Sequence, residues 1–144
     1  MRKTEKGVTL IELMTVIVVL GILASIAVPS YRRYLLRAQR ADASTALLRL
    51  QSAQEKFFLQ NGTYTEDLTA KPPAGLGLIS SNSERGYYAL EVKLSATGYN
   101  ATAKPISGKG QSDDKPCAEF SVSETGIKKA KNSGGDDRTS ECWR

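Results

Sequence analysis

Residues 8–28, VTLIELMTVIVVLGILASIAV, form an apolar run of 21 residues interrupted by one charge, Glu12, four residues after Val8. No other stretch restricts the fold as strongly. At about 1.5 Å of rise per residue a helix of this length would be roughly 31 Å long, enough to cross the hydrocarbon core of a bilayer, about 30 Å thick. A short basic segment, Met1-Arg-Lys-Thr-Glu-Lys-Gly7, precedes it.

A carboxylate in such a run is costly, about +2.5 to +3.5 kcal/mol at a helix centre and less near an end. Glu12 therefore either reaches water at the interface or requires a cation. A cut between Gly7 and Val8 would supply one, because the new α-amino group is positive at neutral pH and lies near Glu12 in sequence. Before the cut no amine exists at Val8, so that pairing cannot form.

The segment KGVTLIELMTVIVVLGILASIAVPSY resembles the class III signal of type IV pilins and pseudopilins: a basic leader ending in Gly, one apolar residue, Thr-Leu-Ile-Glu, then an apolar helix. The resemblance implies that a membrane-embedded aspartyl peptidase cuts between Gly7 and Val8 and methylates Val8. Most members carry Phe where this chain has Val8. It also implies that Glu12 pairs with the N-terminus of a neighbouring subunit during assembly. Gly21 and Pro29 match two positions between which the helix melts in assembled filaments. Three segments follow: a leader over 1–7 that is removed, a transmembrane and assembly helix over 8–28, and a periplasmic or extracellular globular domain over 29–144 that includes the second half of the helix.

Loss of the leader removes Arg2, Lys3, Lys6 and Glu5, which takes the net charge from +5 to about +3, a mildly basic balance and not a nucleic-acid-binding composition. There is no histidine, so the commonest general base and metal ligand is absent. No GxxxxGK[ST], HExxH or CxxC occurs, and no residue set supports an enzyme, a cofactor or a metal. Cys117 and Cys142 enclose 24 residues rich in Gly, Ser, Asp and Lys. Two unrelated thiols are the alternative to a disulfide. The disulfide is favoured because so polar a segment cannot hold itself by burial, and it implies an oxidising compartment. The positive-inside rule points the other way, since Arg32, Arg33, Arg37 and Arg40 follow the run. The disulfide and the signal together outweigh it and place the C-terminal part outside.

Pro29 cannot donate to the carbonyl of Ser25, which predicts a kink or local unwinding. Gly21 and Ser25 form a small-xxx-small pair for close helix packing, or Gly21 is simply tolerated, as glycine is in membrane helices. Beyond Pro29, residues Tyr31, Leu35, Ala38, Ala46, Leu50, Ala53 and Phe57 trace an apolar stripe with one gap, expected to face a sheet. The arginines are expected at lipid headgroups or against acidic residues of adjacent subunits. Asn61-Gly62 ends the helix. Asn61-Gly-Thr63 and Asn100-Ala-Thr102 also fit glycosylation sequons, but a cap and a strand explain them. Residues 63–86 read as loop.

Alternation then predicts strands at Tyr87–Leu94, with Tyr88, Leu90, Val92 and Leu94 inward, and at Tyr99–Lys104, with Tyr99, Ala101 and Ala103 inward. Cys117–Ser123 and Ile127–Lys131 complete four strands in hairpin order. The expected fold is α+β: the type IV pilin fold, a long N-terminal helix packed on a four-stranded antiparallel sheet with a disulfide-closed C-terminal region. Gln60-Asn-Gly-Thr-Tyr-Thr65, Gly98-Tyr99, Ala101-Thr-Ala-Lys-Pro105, Gln111, Cys117 and Cys142-Trp143 resemble PilE-like minor pilins of the type IVa pilus.

That resemblance implies a structural subunit, a minor pilin acting in pilus assembly and hence in twitching motility and adhesion. The implied partners are major and minor pilins, the prepilin peptidase, the inner membrane before assembly and the pilus assembly platform. The alternatives are a type II secretion pseudopilin and a minor pilin specialised for DNA binding and uptake. For DNA, Lys128, Lys129 and Lys131 near Trp143 could form a basic–aromatic patch, although so small a net charge favours a solvated strand edge. Asp113-Asp114 and Asp136-Asp137 could offer oxygen ligands to calcium, but read more simply as solvated turns.

Overall fold

A computed structural model describes residues 7–143; Arg2, Lys3, Glu5 and Lys6 of the leader lie outside the described residues. The chain divides into two compact units, one ending at Leu35 and one starting at Leu36.

In the first unit, helix α1 (Leu10–Asn61) begins directly after three non-helical residues. Thr9 caps it: its hydroxyl accepts the Glu12 N–H at 3.3 Å, and its carbonyl accepts the Leu13 N–H at 3.1 Å. Thr9-x-x-Glu12 thus has the spacing of a capping box, which places Glu12 in the first turn for a local reason as well. The helix assignment runs through Pro29 without a break, so the expected unwinding is absent. Proline removes one backbone bond, but its fixed φ is itself helical, and the turns on either side keep their bonds.

In the second unit α1 continues to Asn61 and stops as the sequence predicts. Gly62 takes φ +71°, its N–H bonds the Phe58 carbonyl at 2.8 Å, and the Asn61 side-chain amide donates to the Phe57 carbonyl at 2.9 Å. The stripe needs correction. The buried apolar residues of the helix are Ala43, Ala46, Leu47, Leu50 and Phe57, whereas Tyr31 is 62% exposed, Leu35 and Ala38 are exposed and Ala53 is half-buried. Burial accordingly runs only from Asp42 to Phe57.

The strands are β1 (Tyr88–Leu94), β2 (Tyr99–Pro105), β3 (Glu119–Ser123) and β4 (Lys128–Lys131), antiparallel and paired in chain order. The third starts later than expected because Lys115–Cys117 forms a single 3-10 turn. The register sets Leu90 opposite Ala103, Ala103 opposite Phe120 and Phe120 opposite Ala130. Tyr88, Leu90, Val92, Tyr99, Ala101, Ala103, Phe120, Val122 and Ala130 share one core with Ala43, Ala46, Leu47 and Leu50 of the helix. Leu94, expected inside, is 45% exposed at the last position of β1, where its N–H bonds the Glu66 carboxylate at 2.8 Å.

Both sheet edges are occupied. Along β1 the Ser83 N–H bonds Tyr88 O and the Leu90 N–H bonds Ser81 O. Along β4 the C-terminal tail does the same: Arg138 N–H donates to Ala130 O at 2.8 Å, and Ala130 N–H donates to Thr139 Oγ1 at 2.9 Å. A one-turn helix, α2 (Thr139–Cys142), then brings Cys142 to Cys117, and the two are disulfide-bonded with Cα atoms 5.8 Å apart. Covering a sheet edge removes the row of unpaired N–H and C=O groups that would otherwise recruit another strand.

Candidate functional site

Of the residues singled out in the sequence, Gly7, Val8, Glu12 and Gly21 lie in the first unit. Gly7 and Val8 stand just outside the helix, and Val8 is 71% exposed. A Cβ built on Gly7 or on Gly21 meets nothing within 4 Å. This chain therefore makes no steric demand for glycine at either place; any such demand comes from outside it. From Leu10 to Val28 the large apolar side chains are 49–76% exposed. The helix is long and apolar enough to cross a membrane.

The second unit is held by polar contacts that the sequence reading missed. Arg40, expected at headgroups or against another subunit, makes a two-pronged ion pair inside its own chain: Nε donates to Asp114 Oδ2 at 2.7 Å and Nη2 to Oδ1 at 2.8 Å. Asp114 holds that proton on the guanidinium more tightly than usual, chiefly through the hydrogen bond. The buried Gln111 amide donates to Asp114 Oδ2 at 3.1 Å, to the Tyr88 hydroxyl at 2.7 Å and to the Leu36 carbonyl at 3.3 Å. Burial first, and then the Asp114 charge, push the Tyr88 phenol far above its ordinary value. Asp42 accepts from the Ser83 hydroxyl and from the Arg85 N–H, and Gln54 pairs with both backbone groups of Thr65. Each clip fixes one loop to the helix at low dielectric, where an unpaired partner would be expensive.

On the opposite side of the same helical stretch, Ala38, Ala41, Thr45, Leu48, Ser52 and Leu59 are all exposed. Up to Ser52 they recur at steps of three and four, with Leu59 seven residues further on, half a turn from Leu47 and Leu50, and make a second ridge of small, hydroxylated and apolar side chains. The signal was present in the sequence but was hidden by the first stripe.

Of Lys128, Lys129 and Lys131, the first meets Trp143 with its side chain and the second with its backbone. Lys128 Nζ lies 5.2 Å from the centroid of the Trp143 ring, and Trp143 Nε1 donates to the Lys129 carbonyl at 2.8 Å. Phe120 supports the indole edge-on at 5.8 Å. The aspartate pairs are otherwise engaged: Asp114 by Arg40, Asp136 by the Asn132 amide, and Asp137 by the Thr139 N–H, which holds its carboxyl below the ordinary range. Among the described residues no group of three or more His, Cys, Asp or Glu could hold a metal ion.

Residues 2–28 match the prokaryotic N-terminal methylation motif, and residues 29–121 match the family described as type IV minor pilin ComP, DNA uptake sequence receptor. The chain belongs to the type IV pilin family. It is 38% identical over 115 residues to the type IV major pilin protein PilE of Neisseria gonorrhoeae, covering 76% of this pilin and 66% of that one. It is 35% identical over 119 residues to the fimbrial protein EcpC of Eikenella corrodens, covering 76% and 73%. Against a PilE1 of Neisseria gonorrhoeae the identity is 36%, covering 76% and 62%, so the pilin spans about two thirds or less of the first curated relatives it matches. A solved type IV pilin from Shewanella oneidensis overlaps at TM-score 0.45 and 22% identity, covering 65% of this chain and 89% of that one, a level that carries no argument. The 29–121 match takes in the Arg40–Asp114 clip and β1 to the start of β3, and stops short of the lysine–tryptophan ledge of the pilin.

Proposed function

We propose that this pilin is a minor structural subunit of a bacterial type IV pilus, acting in pilus assembly and hence in twitching motility and adhesion. It is made as a single-pass inner-membrane precursor with its C-terminal domain in the periplasm, and it joins the extracellular fibre after processing. The prepilin peptidase cuts between Gly7 and Val8 and methylates Val8. The Val8 amine of one subunit then pairs with Glu12 of another, and the assembly platform inserts the subunit among major and minor pilins. Flexibility at Gly21 and Pro29 allows the helix to loosen in the fibre.

One observation carries the reading. From Leu10 to Val28 the helix leaves its large apolar side chains about half or more exposed, a surface far larger than a monomer in water keeps bare. Lipid first and then neighbouring helices cover it, and Glu12 is the one charge that must find a partner during that exchange. The matches to an N-terminal methylation motif and to a minor pilin support the same conclusion. Replacing Glu12 with Val should leave cleavage intact and abolish incorporation into sheared fibres. Mass spectrometry of wild-type fibres should find a methylated Val8 N-terminus at low abundance relative to the major subunit. Normal incorporation of the variant would overturn the pairing.

A second reading, a pilin that binds DNA, is favoured by the match of residues 29–121 to a family described as a DNA uptake sequence receptor. The ledge of Lys128, Lys129, Lys131 and Trp143 offers phosphate-binding charge beside a ring on which a base can stack. Full-length protein should then bind duplex DNA with an affinity that falls with salt, and Lys128→Gln/Lys129→Gln/Lys131→Gln should reduce the salt slope.

A further inference from the structure

Beside the last turns of α1 opens a cleft of about 400 Å³, walled by Ala53, Lys56, Phe57 and Gln60 of the helix and by Pro72 and Leu76 of the loop that follows it. That volume lies within the range of small-molecule sites. Phe57 is 6% exposed, and Ala53 and Leu76 are half-buried, so much of the apolar wall is anchored in the fold. Lys56, Gln60 and Pro72 are exposed.

The loop wall is fixed before anything binds. The Leu76 N–H donates to the Asp67 carbonyl at 3.0 Å, Gly77 N–H to the Ala70 carbonyl at 2.8 Å and Ala74 N–H to the Lys71 carbonyl at 3.0 Å. A Cβ on Gly75 would sit 2.7 Å from the Asp67 carbonyl oxygen and 2.8 Å from that of Ala70, so only glycine lets the loop fold this tightly. Gly77, at φ +70°, lies so close that its Cβ would be 3.1 Å from Pro72 Cδ. A wall already in place costs little ordering when a ligand arrives.

Two polar side chains line the cleft, and both are idle. Lys56 and Gln60 are four residues apart on one helix face, a spacing that puts their Cβ atoms about 6 Å apart. Among the described residues neither side chain has an ion-pair or hydrogen-bond partner. No carboxylate lines the cleft, so the Lys56 charge is not answered within it.

We propose that this cleft is a binding site for a small monocarboxylate with an apolar body, aromatic or branched. The body lies against Phe57, Leu76 and the Pro72 ring, and the carboxylate accepts N–H groups from Lys56 and Gln60. Hydrogen bonds that join an ammonium to a carboxylate are roughly twice as strong as neutral ones. A single lining cation matches a single negative charge, which disfavours a nucleotide or another polyanion. Because Lys56 is exposed, water and salt screen its attraction, and binding is of about millimolar strength. This inference does not rest on incorporation into a pilus, and the two can fail separately.

The test uses the full-length protein in a non-ionic detergent, titrated with phenylacetate while NMR follows the methyl signals of Ala53 and Leu76 and the ring signals of Phe57. Saturable shifts that weaken as salt rises are expected. Phenylacetamide keeps the ring and loses the charge, acetate keeps the charge and loses the ring, and each should bind about fivefold more weakly or worse. Lys56→Gln should weaken phenylacetate binding about fivefold and leave phenylacetamide binding unchanged. Lys115→Gln, at another exposed position, should alter neither. No saturable shift with phenylacetate, equal affinity for either analogue, or equal phenylacetate affinity in Lys56→Gln with its fold confirmed by circular dichroism, overturns the proposal.

Discussion

Helix α1 meets two opposite environments along one continuous element. Up to Leu35 no side chain belongs to the core, and the large apolar ones are exposed around the whole circumference. From Leu36 onward the same backbone geometry buries Ala43, Leu47 and Leu50 completely or nearly so, while its polar residues Asp42 and Gln54 are buried and hydrogen-bonded. The first stretch can hold its backbone bonds alone but not its solvation, so its stability belongs to whatever surrounds it. The second has its partners within the chain. Folding and assembly are thereby assigned to different parts of one helix.

The sharpest way to break that division is a matched pair of truncations. Leu50→Ala should lower the unfolding free energy of the second unit by about 2–5 kcal/mol through transfer loss and a cavity. Leu20→Ala, 59% exposed in the native chain, should leave that transition where it is. If both shift it, the two stretches are not energetically separate. Next in size, Cys142→Ser should cost about 3 kcal/mol by releasing a long loop and the tail that covers β4. Amide exchange should then rise first at Ala130 and Arg138, whose N–H groups make those tail contacts.

A smaller effect distinguishes buried from exposed charge. Asp114→Asn should cost about 2 kcal/mol because Arg40 keeps its charge in a half-dry place. Glu84→Gln removes the pair with Arg49, in which both side chains are 60% or more exposed, and should cost no more than about 0.5 kcal/mol. Chemical denaturation of the two variants checks the ratio. Smallest in magnitude is Tyr99→Phe, which should be close to neutral at neutral pH, since the lost hydroxyl has no partner. Its pH dependence is more telling. The Tyr88 and Tyr99 phenols have folded-state values raised above the unfolded ones. Their contribution is therefore complete below about pH 10 and lost as the pH rises further. Tyr99→Phe should flatten part of that alkaline loss, read as the melting temperature between neutral pH and pH 11.

Much of the scaffold was legible because its signals are local. The span of the apolar run, the Gly62 cap, the four strands and the inward set Tyr88, Leu90, Val92, Tyr99, Ala101 and Ala103 all follow from period, turn chemistry and composition. The lower part of the helix stripe was legible too, whereas its upper part was not. Tyr31, Leu35 and Ala38 carry an apolar pattern, but how far a sheet reaches along a helix is not written in the helix.

The chain's sequence by itself determined that an exposed apolar helix with one acid precedes a small α+β domain, since hydrophobic period and turn residues act over a few neighbours. Only the tertiary structure decided that Arg40 spends its charge on Asp114, 74 residues away, and that the tail closes the edge of β4. It also decided that Tyr99 ends without a hydrogen-bond partner beside two glutamates. Such pairings depend on which loops arrive at which face, and no local propensity encodes a distance between residues that meet only once the core has formed.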